Sequence, residues 1–168
     1  MEVWDAYTKS GVLTSKKLIR GEAIPDDLYH MVCEVLVQHE DGSYLCMKRS
    51  ASKHNYPGYY EATAGGSALQ GENKYQCIAR ELYEETGLIC DSFTEIGCFI
   101  YDDDHCIFHC FICQVNCDKN AIKLQAKETD DYKWMPETDF IKFINSDQMI
   151  PNQKQRYMKY FMEKNYIN

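Results

Sequence analysis

Most of this chain alternates short runs of β-forming residues with polar turn signals, and one central segment switches to the helical period. Residues 29–39 (YHMVCEVLVQH) predict a strand, followed by the hairpin signal Glu40-Asp41-Gly42-Ser43 and a return strand over residues 44–49. Upstream, residues 3–20 predict short strands or a hairpin turning at Gly11, and Ile24-Pro25-Asp26-Asp27 predicts a turn. Residues 50–58 read as a polar loop ending in Pro57-Gly58, and residues 59–64 as a strand that delivers the chain to Gly65 and Gly66. A strand pair over residues 93–101 and 105–115 is joined by Asp102-Asp103-Asp104, and residues 132–135 form a further short strand.

The period becomes 3.6 after Gly71. A helix from there to Thr86 puts Tyr75, Ile78, Ala79 and Leu82 on one face as the core stripe, with Gly87 as a left-handed C-cap. Pro136 opens a helix at its first position (residues 136–144), and residues 152–164 form a last helix capped by Asn152. Strands on either side of one central helix, then two helices, predict an α+β chain with a mixed sheet. Without repeats or low-complexity linkers, residues 1–168 read as a single domain: an N-terminal extension of strands (1–28), a core (29–146) and a C-terminal helix (147–168).

Composition narrows the function classes. The chain has 168 residues, 45% of them hydrophobic and 26% charged, as in an ordinary globular domain. A net charge of −8 argues against the basic surface that a nucleic-acid polymer needs, and makes a polyanionic ligand depend on a metal or a local cation cluster. No apolar run approaches the roughly 20 residues of a membrane span, and the first ten residues hold no signal-peptide core. Nine cysteines, an odd number, predict reduced thiols and a cytoplasmic location. Cys106, Cys110, Cys113 and Cys117 lie near His105 and His109, but their spacing lacks paired C-x₂-C units, so buried thiols in a strand are expected over zinc.

Residues 66–88, GSALQGENKYQCIARELYEETGL, carry the chemistry. Glu81 is spaced i,i+3 from Glu84 and i,i+4 from Glu85, so three carboxylates crowd one part of the helix surface. They also lie near its C-terminus, where the helix dipole disfavours anions. A hard divalent cation removes both objections, and oxygen-only ligands suit Mg²⁺, with Mn²⁺ as the alternative. Glu72, nine residues before Glu81, is expected at the loop-to-helix junction, bonding first-turn N–H groups or reaching the carboxylates from the side. Gly65 and Gly66 suit a tight turn and close backbone approach to a ligand.

The segment resembles a complete Nudix box, the signature of hydrolases that cleave diphosphates linked to another moiety. The resemblance extends over Lys48-Arg49, residues 56–61, Thr63-Ala64-Gly65-Gly66 and Trp134-Met135-Pro136. It implies an α/β/α sandwich in which the box forms a loop-helix-loop. It also implies that Glu81 and Glu85 bind metal, that Glu84 is a further ligand or the base, and that Arg80 holds a box glutamate in place. Glu128 is a second candidate base, from the loop before Trp134. Gly65, Gly66, Arg49 and Tyr60 are assigned to substrate binding, and Lys53 and His54 are further candidates to meet phosphates. The implied partner is a small-molecule diphosphate, with homodimerisation common among similar proteins.

Trp4-Asp5-x-Tyr7, Arg20-Gly21-Glu22 and Tyr29-His30 are similar to the branch that includes isopentenyl-diphosphate isomerase. That enzyme has Cys-Gly-His where this chain has Ala64-Gly65-Gly66, and acidic ligands where it has Cys106-Ile107-Phe108. The intact box therefore favours hydrolysis. An isomerase-like enzyme and a nucleotide-binding sensor without catalysis stand as the alternatives.

Overall fold

The computed structural model describes residues 1–167. Two antiparallel strands, β1 (Val3–Tyr7) and β2 (Leu13–Ile19), form a separate hairpin in register Val3↔Ile19. The remaining strands make one mixed sheet centred on β3 (His30–His39). Its even and odd positions face opposite ways, as a strand period of two requires. Cys33, Val35 and Val37 enter one core, and Leu36 enters the other. Both faces of β3 are thus buried, which is why its sequence reads as a nearly continuous apolar run.

The turn predicted after β3 forms, with His39 N–H donating to Ser43 O at 2.8 Å, but the hairpin does not continue. The register of β3 with β4 (Tyr44–Arg49) consists of Gln38↔Tyr44 alone. Instead β4 pairs with β5 (Tyr60–Glu61) and β9 (Thr129–Met135). The edges of β3 are taken by β6 (Thr63–Ser67), antiparallel, and β8 (Cys106–Val115), parallel along the whole strand. The predicted pair of β7 (Thr94–Tyr101) with β8 is present. Ala62 interrupts the expected strand over residues 59–64, and β9 starts three residues before the expected position 132.

The sequence places Gly65 and Gly66 in a turn, whereas the structure has both inside β6, opposite Glu34 and Cys33. A Cβ at position 65 would lie 2.1 Å from Cys33 O, so only glycine permits this close strand approach.

Helix α1 (Lys74–Thr86) covers the first core. Asn73 caps it, accepting from Tyr75 N at 2.9 Å and Gln76 N at 3.0 Å, while Gln76 Oε1 accepts from Asn73 N. This capping box, and not Glu72, supplies the first-turn acceptors. Gly87 takes the predicted left-handed cap, φ 73°. The buried stripe is Cys77, Ile78, Leu82 and Thr86, while Tyr75 and Ala79 point outward, which corrects the predicted face. The helix presses against glycine-rich β6, where Cys77 Sγ donates to Gly66 O at 3.6 Å, while the largely exposed Tyr75 keeps one side against Phe111, ring centroids 5.6 Å apart.

Helices α2 (Glu137–Ile144) and α3 (Pro151–Glu163) cover the opposite core. Pro136 is the N-cap of α2, not its first helical residue, and α3 begins at Pro151 after Ile150, not at Asn152. Proline's fixed φ suits the first helical position. A buried ion pair anchors α3: Arg156 Nε and Nη2 donate to the two oxygens of Glu34 at 2.5 and 2.8 Å.

Candidate active site

The second half of α1 presents Arg80, Glu81, Glu84 and Glu85 to a cleft of about 380 Å³. Gly65 and Gly66 of β6 form part of its lining, and Lys53 and Glu128 enter from two loops. Arg80 is the hub of this cluster. Its Nη1 donates to Glu81 Oε1 at 2.7 Å and Glu84 Oε2 at 3.1 Å, and its Nη2 donates to Ser67 O at 3.0 Å. From behind, Glu72 accepts Nε at 2.7 Å and Nη2 at 2.9 Å, and also takes the Leu69 N–H at 2.8 Å. Burial works against the charged form of Glu72, but these donors outweigh it and hold the carboxyl below the usual range. Glu72 therefore fixes Arg80 and is not part of the cleft lining, which corrects the expectation that it serves the helix N–H groups.

Glu85 occupies a different setting. It accepts the Gly65 N–H at 3.1 Å and has no ion-pair partner among the described residues. Burial and the neighbouring Glu81 charge push its carboxyl up to about 8, against the Gly65 hydrogen bond and Lys53. Burial also raises Glu81, partly offset by the Arg80 hydrogen bond. Glu128 is ion-paired with Lys53, and their two loops are joined by Ser50 N–H donating to Glu128 O at 2.9 Å.

These donors fit a hard cation. They are all oxygens, and Gly66 leaves open the space into which the Glu81 carboxylate reaches. Among the described residues no three acidic, His or Cys side chains already converge as a metal cage, since Glu81 and Glu84 are turned toward Arg80. Binding a cation would require these carboxylates to exchange Arg80 for metal.

Two predicted substrate residues lie outside the lining. Arg49 is ion-paired with Glu61, and its Nε donates to Asn55 O at 2.9 Å, although the charges of Glu85 and Glu128 still bear on it. Tyr60 borders a separate hollow of about 350 Å³ with Tyr59 and Phe143, and Lys133 Nζ sits 3.7 Å from its ring centroid. Arg49 ends β4 and Tyr60 opens β5, the short strand paired with it. Glu2, Arg20 and Gln125 line the cleft without having been predicted. The single sequence signal for Arg20 was its place in Arg20-Gly21-Glu22.

His30 is packed on Trp4, ring centroids 4.2 Å apart and 12° from parallel, as a structural histidine would be. The clustered cysteines do not converge either. Cys106 contacts His30, Cys110 donates to Glu34 at 3.3 Å, and all nine cysteines are free thiols. Among the described residues, no helix is long and apolar enough to cross a membrane.

A family model described as the NUDIX domain matches residues 28–160. An uncharacterized Nudix hydrolase of Listeria monocytogenes is 30% identical over 151 residues, covering 90% of this chain and 89% of the relative. An isopentenyl-diphosphate Delta-isomerase of Corynebacterium diphtheriae is 27% identical over 130 residues, 72% of this chain and 71% of the relative. Among solved structures, a Deinococcus radiodurans protein superposes with TM-score 0.68 at 15% identity, covering 87% of this chain and 90% of the other.

Proposed function

The chain belongs to the Nudix hydrolase family, and from that premise we propose a Mg²⁺-dependent enzyme that cleaves the diphosphate bond of a nucleoside diphosphate linked to another moiety. Mn²⁺ is the alternative metal, and the enzyme acts in the cytoplasm. The observation that carries the reading is Glu85, a carboxyl set beside Glu81 at the cleft with one N–H donor and no cationic partner. A half-buried carboxylate beside a second one is costly unless a cation joins them.

Glu81 and Glu85 would hold the metal, with Glu84 as a further ligand. When bound, the metal neutralises phosphate charge and lowers the pKa of an attacking water. Glu128 is the candidate base, positioned by Lys53, and takes the proton of that water. Arg80, held from behind by Glu72, positions Glu81 through a charge-assisted hydrogen bond. Gly65 and Gly66 form the part of the cleft wall that substrate would meet, Gly66 leaving room for the Glu81 carboxylate and Gly65 for the close approach of β3.

The isomerase alternative is less well supported. Ala64 is buried and carries no acidic proton, and His30 is engaged with Trp4 and Cys106.

A phosphate-release screen with a coupled phosphatase tests the proposal. It covers nucleoside triphosphates, sugar nucleotides, dinucleotides, coenzyme A and isoprenoid diphosphates, with Glu85→Gln as the blank. Metal-dependent release on one class, lowered about a hundredfold or more in the variant, is expected. Silence across the panel, or a rearranged carbon skeleton from isopentenyl diphosphate without phosphate release, would sink it.

A further inference from the structure

The β1–β2 hairpin precedes the segment matched by the family model, yet it supplies part of the cleft wall. It is docked onto the loop that feeds α1. Gln70 N–H donates to Val3 O at 2.9 Å, and Gly71 N–H donates to Asp5 Oδ2 at 2.7 Å. Asp5 is itself buried and ion-paired with Lys17. Trp4 stacks on His30 at the base of β3. The hairpin is therefore held on two sides, and residues at its open end keep a fixed relation to the Nudix helix.

That open end carries Glu2 and Arg20. Their backbones are tied by Arg20 N–H donating to Glu2 O at 3.0 Å. Arg20 Nη1 donates to Glu2 Oε2 at 2.9 Å, and Trp4 Nε1 donates to Glu2 Oε1 at 2.7 Å. Glu2 is thus oriented by two donors, whereas the Arg20 side chain remains 64% exposed. One of its five N–H groups is engaged by a side chain, and among the described residues no other hydrogen bond holds the guanidinium, which lines the cleft.

The other two cations of the cleft are committed. Arg80 is shared among Glu72, Glu81, Glu84 and Ser67 O, and Lys53 is held by Glu128. The lining contains no aromatic ring, so a ligand there gains nothing from stacking and must be gripped through its charge. A guanidinium matches two phosphate oxygens at once, which an ammonium does not.

We propose that Arg20 binds one phosphate of the diphosphate substrate, exchanging Glu2 for phosphate as the ligand enters. Arg20 is a substrate-binding residue contributed by the N-terminal hairpin, and Glu2 is its internal competitor. The assignment rests on the reading of the cleft as a diphosphate site. An exposed ion pair contributes little to stability, so its exchange for a dianionic ligand is favourable.

The test uses the full chain and four variants: Arg20→Ala, Arg20→Lys, Glu2→Gln and the double variant Glu2→Gln/Arg20→Ala. Inorganic pyrophosphate is titrated into each by calorimetry, with Ca²⁺ in place of Mg²⁺, and KM and kcat are measured on the best substrate of the screen. Arg20→Ala is expected to weaken pyrophosphate binding and raise KM about tenfold, with kcat within about twofold and an unchanged melting temperature. Arg20→Lys recovers part of the loss. Glu2→Gln tightens pyrophosphate in the presence of Arg20 and has no effect in its absence. Unchanged affinity and KM in Arg20→Ala would overturn the assignment. So would equal tightening by Glu2→Gln in both backgrounds, since that reports only the removal of a negative charge. The pyrophosphate titration decides Arg20 by itself, whereas phosphate release compared with Glu85→Gln decides the hydrolase reading, so the two fail separately.

Discussion

A Cβ on residue 66 would stand 2.7 Å from both carboxylate oxygens of Glu81. The missing side chain of Gly66 is the space in which that carboxylate rests. Because the clash falls on the end of a flexible side chain, Gly66→Ala should displace Glu81 and leave the fold intact. Turnover is expected to drop about a hundredfold at near-wild-type melting temperature, by analogy with other small misplacements of catalytic groups. At Gly65 the clash is with Cys33 backbone, so Gly65→Ala should instead destabilise by about 3 kcal/mol. Equal effects of the two substitutions on stability and turnover would contradict this division, and urea unfolding alongside kinetics reads both.

Glu85 predicts a pH dependence of stability that is opposite to that of a salt-bridged carboxylate. Its folded value of about 8 lies above the ordinary 4.5, so the folded chain favours the protonated form. The associated stability is complete below the unfolded value and is lost as pH rises through the folded one. Melting in EDTA should therefore fall between about pH 5 and about pH 8, and Glu85→Gln should flatten that slope. Mg²⁺ competes with the proton, so its stabilising effect should grow over the same interval. Parallel wild-type and variant profiles would rule out Glu85 as the titrating group.

Glu128 faces the box carboxylates across the cleft and is ion-paired with Lys53. If it is the base, Glu128→Gln should lower kcat by roughly 10²–10⁴ and remove the acidic limb of the pH–rate profile. The measurement is kcat against pH at saturating Mg²⁺. An unchanged profile assigns proton removal to another group, with Glu84 next in line.

The Glu34–Arg156 pair is buried on both sides, with Arg156 4.2 Å from the Phe108 ring centroid. Arg156→Met should destabilise by about 3–5 kcal/mol, because it leaves a buried carboxylate without a partner. Adding Glu34→Gln should recover much of that loss. A single-variant cost under about 1 kcal/mol, the range of exposed pairs, would mean that water already reaches Glu34.

The sequence by itself determined what depends on neighbours three or four residues away. The box helix, its left-handed Gly87 cap and the grouping of Arg80, Glu81, Glu84 and Glu85 follow from helical geometry, and the structure brings all four to one cleft. The strands were legible because their apolar runs are short and bounded by turn residues. Tertiary structure decided which strands meet. It placed β8 rather than β4 along β3, drew Gly65 and Gly66 into β6, and turned α1 so that Cys77 is buried while Tyr75 is largely exposed. It also paired Arg49 with Glu61, put Tyr60 on a separate hollow, set Glu72 behind Arg80, and brought Arg20 and Glu2 to the rim from a distant hairpin. Period and capping are local properties of a few residues. Strand partners and cleft walls are instead chosen by which surfaces can be buried together across the whole chain, and no local pattern encodes that choice.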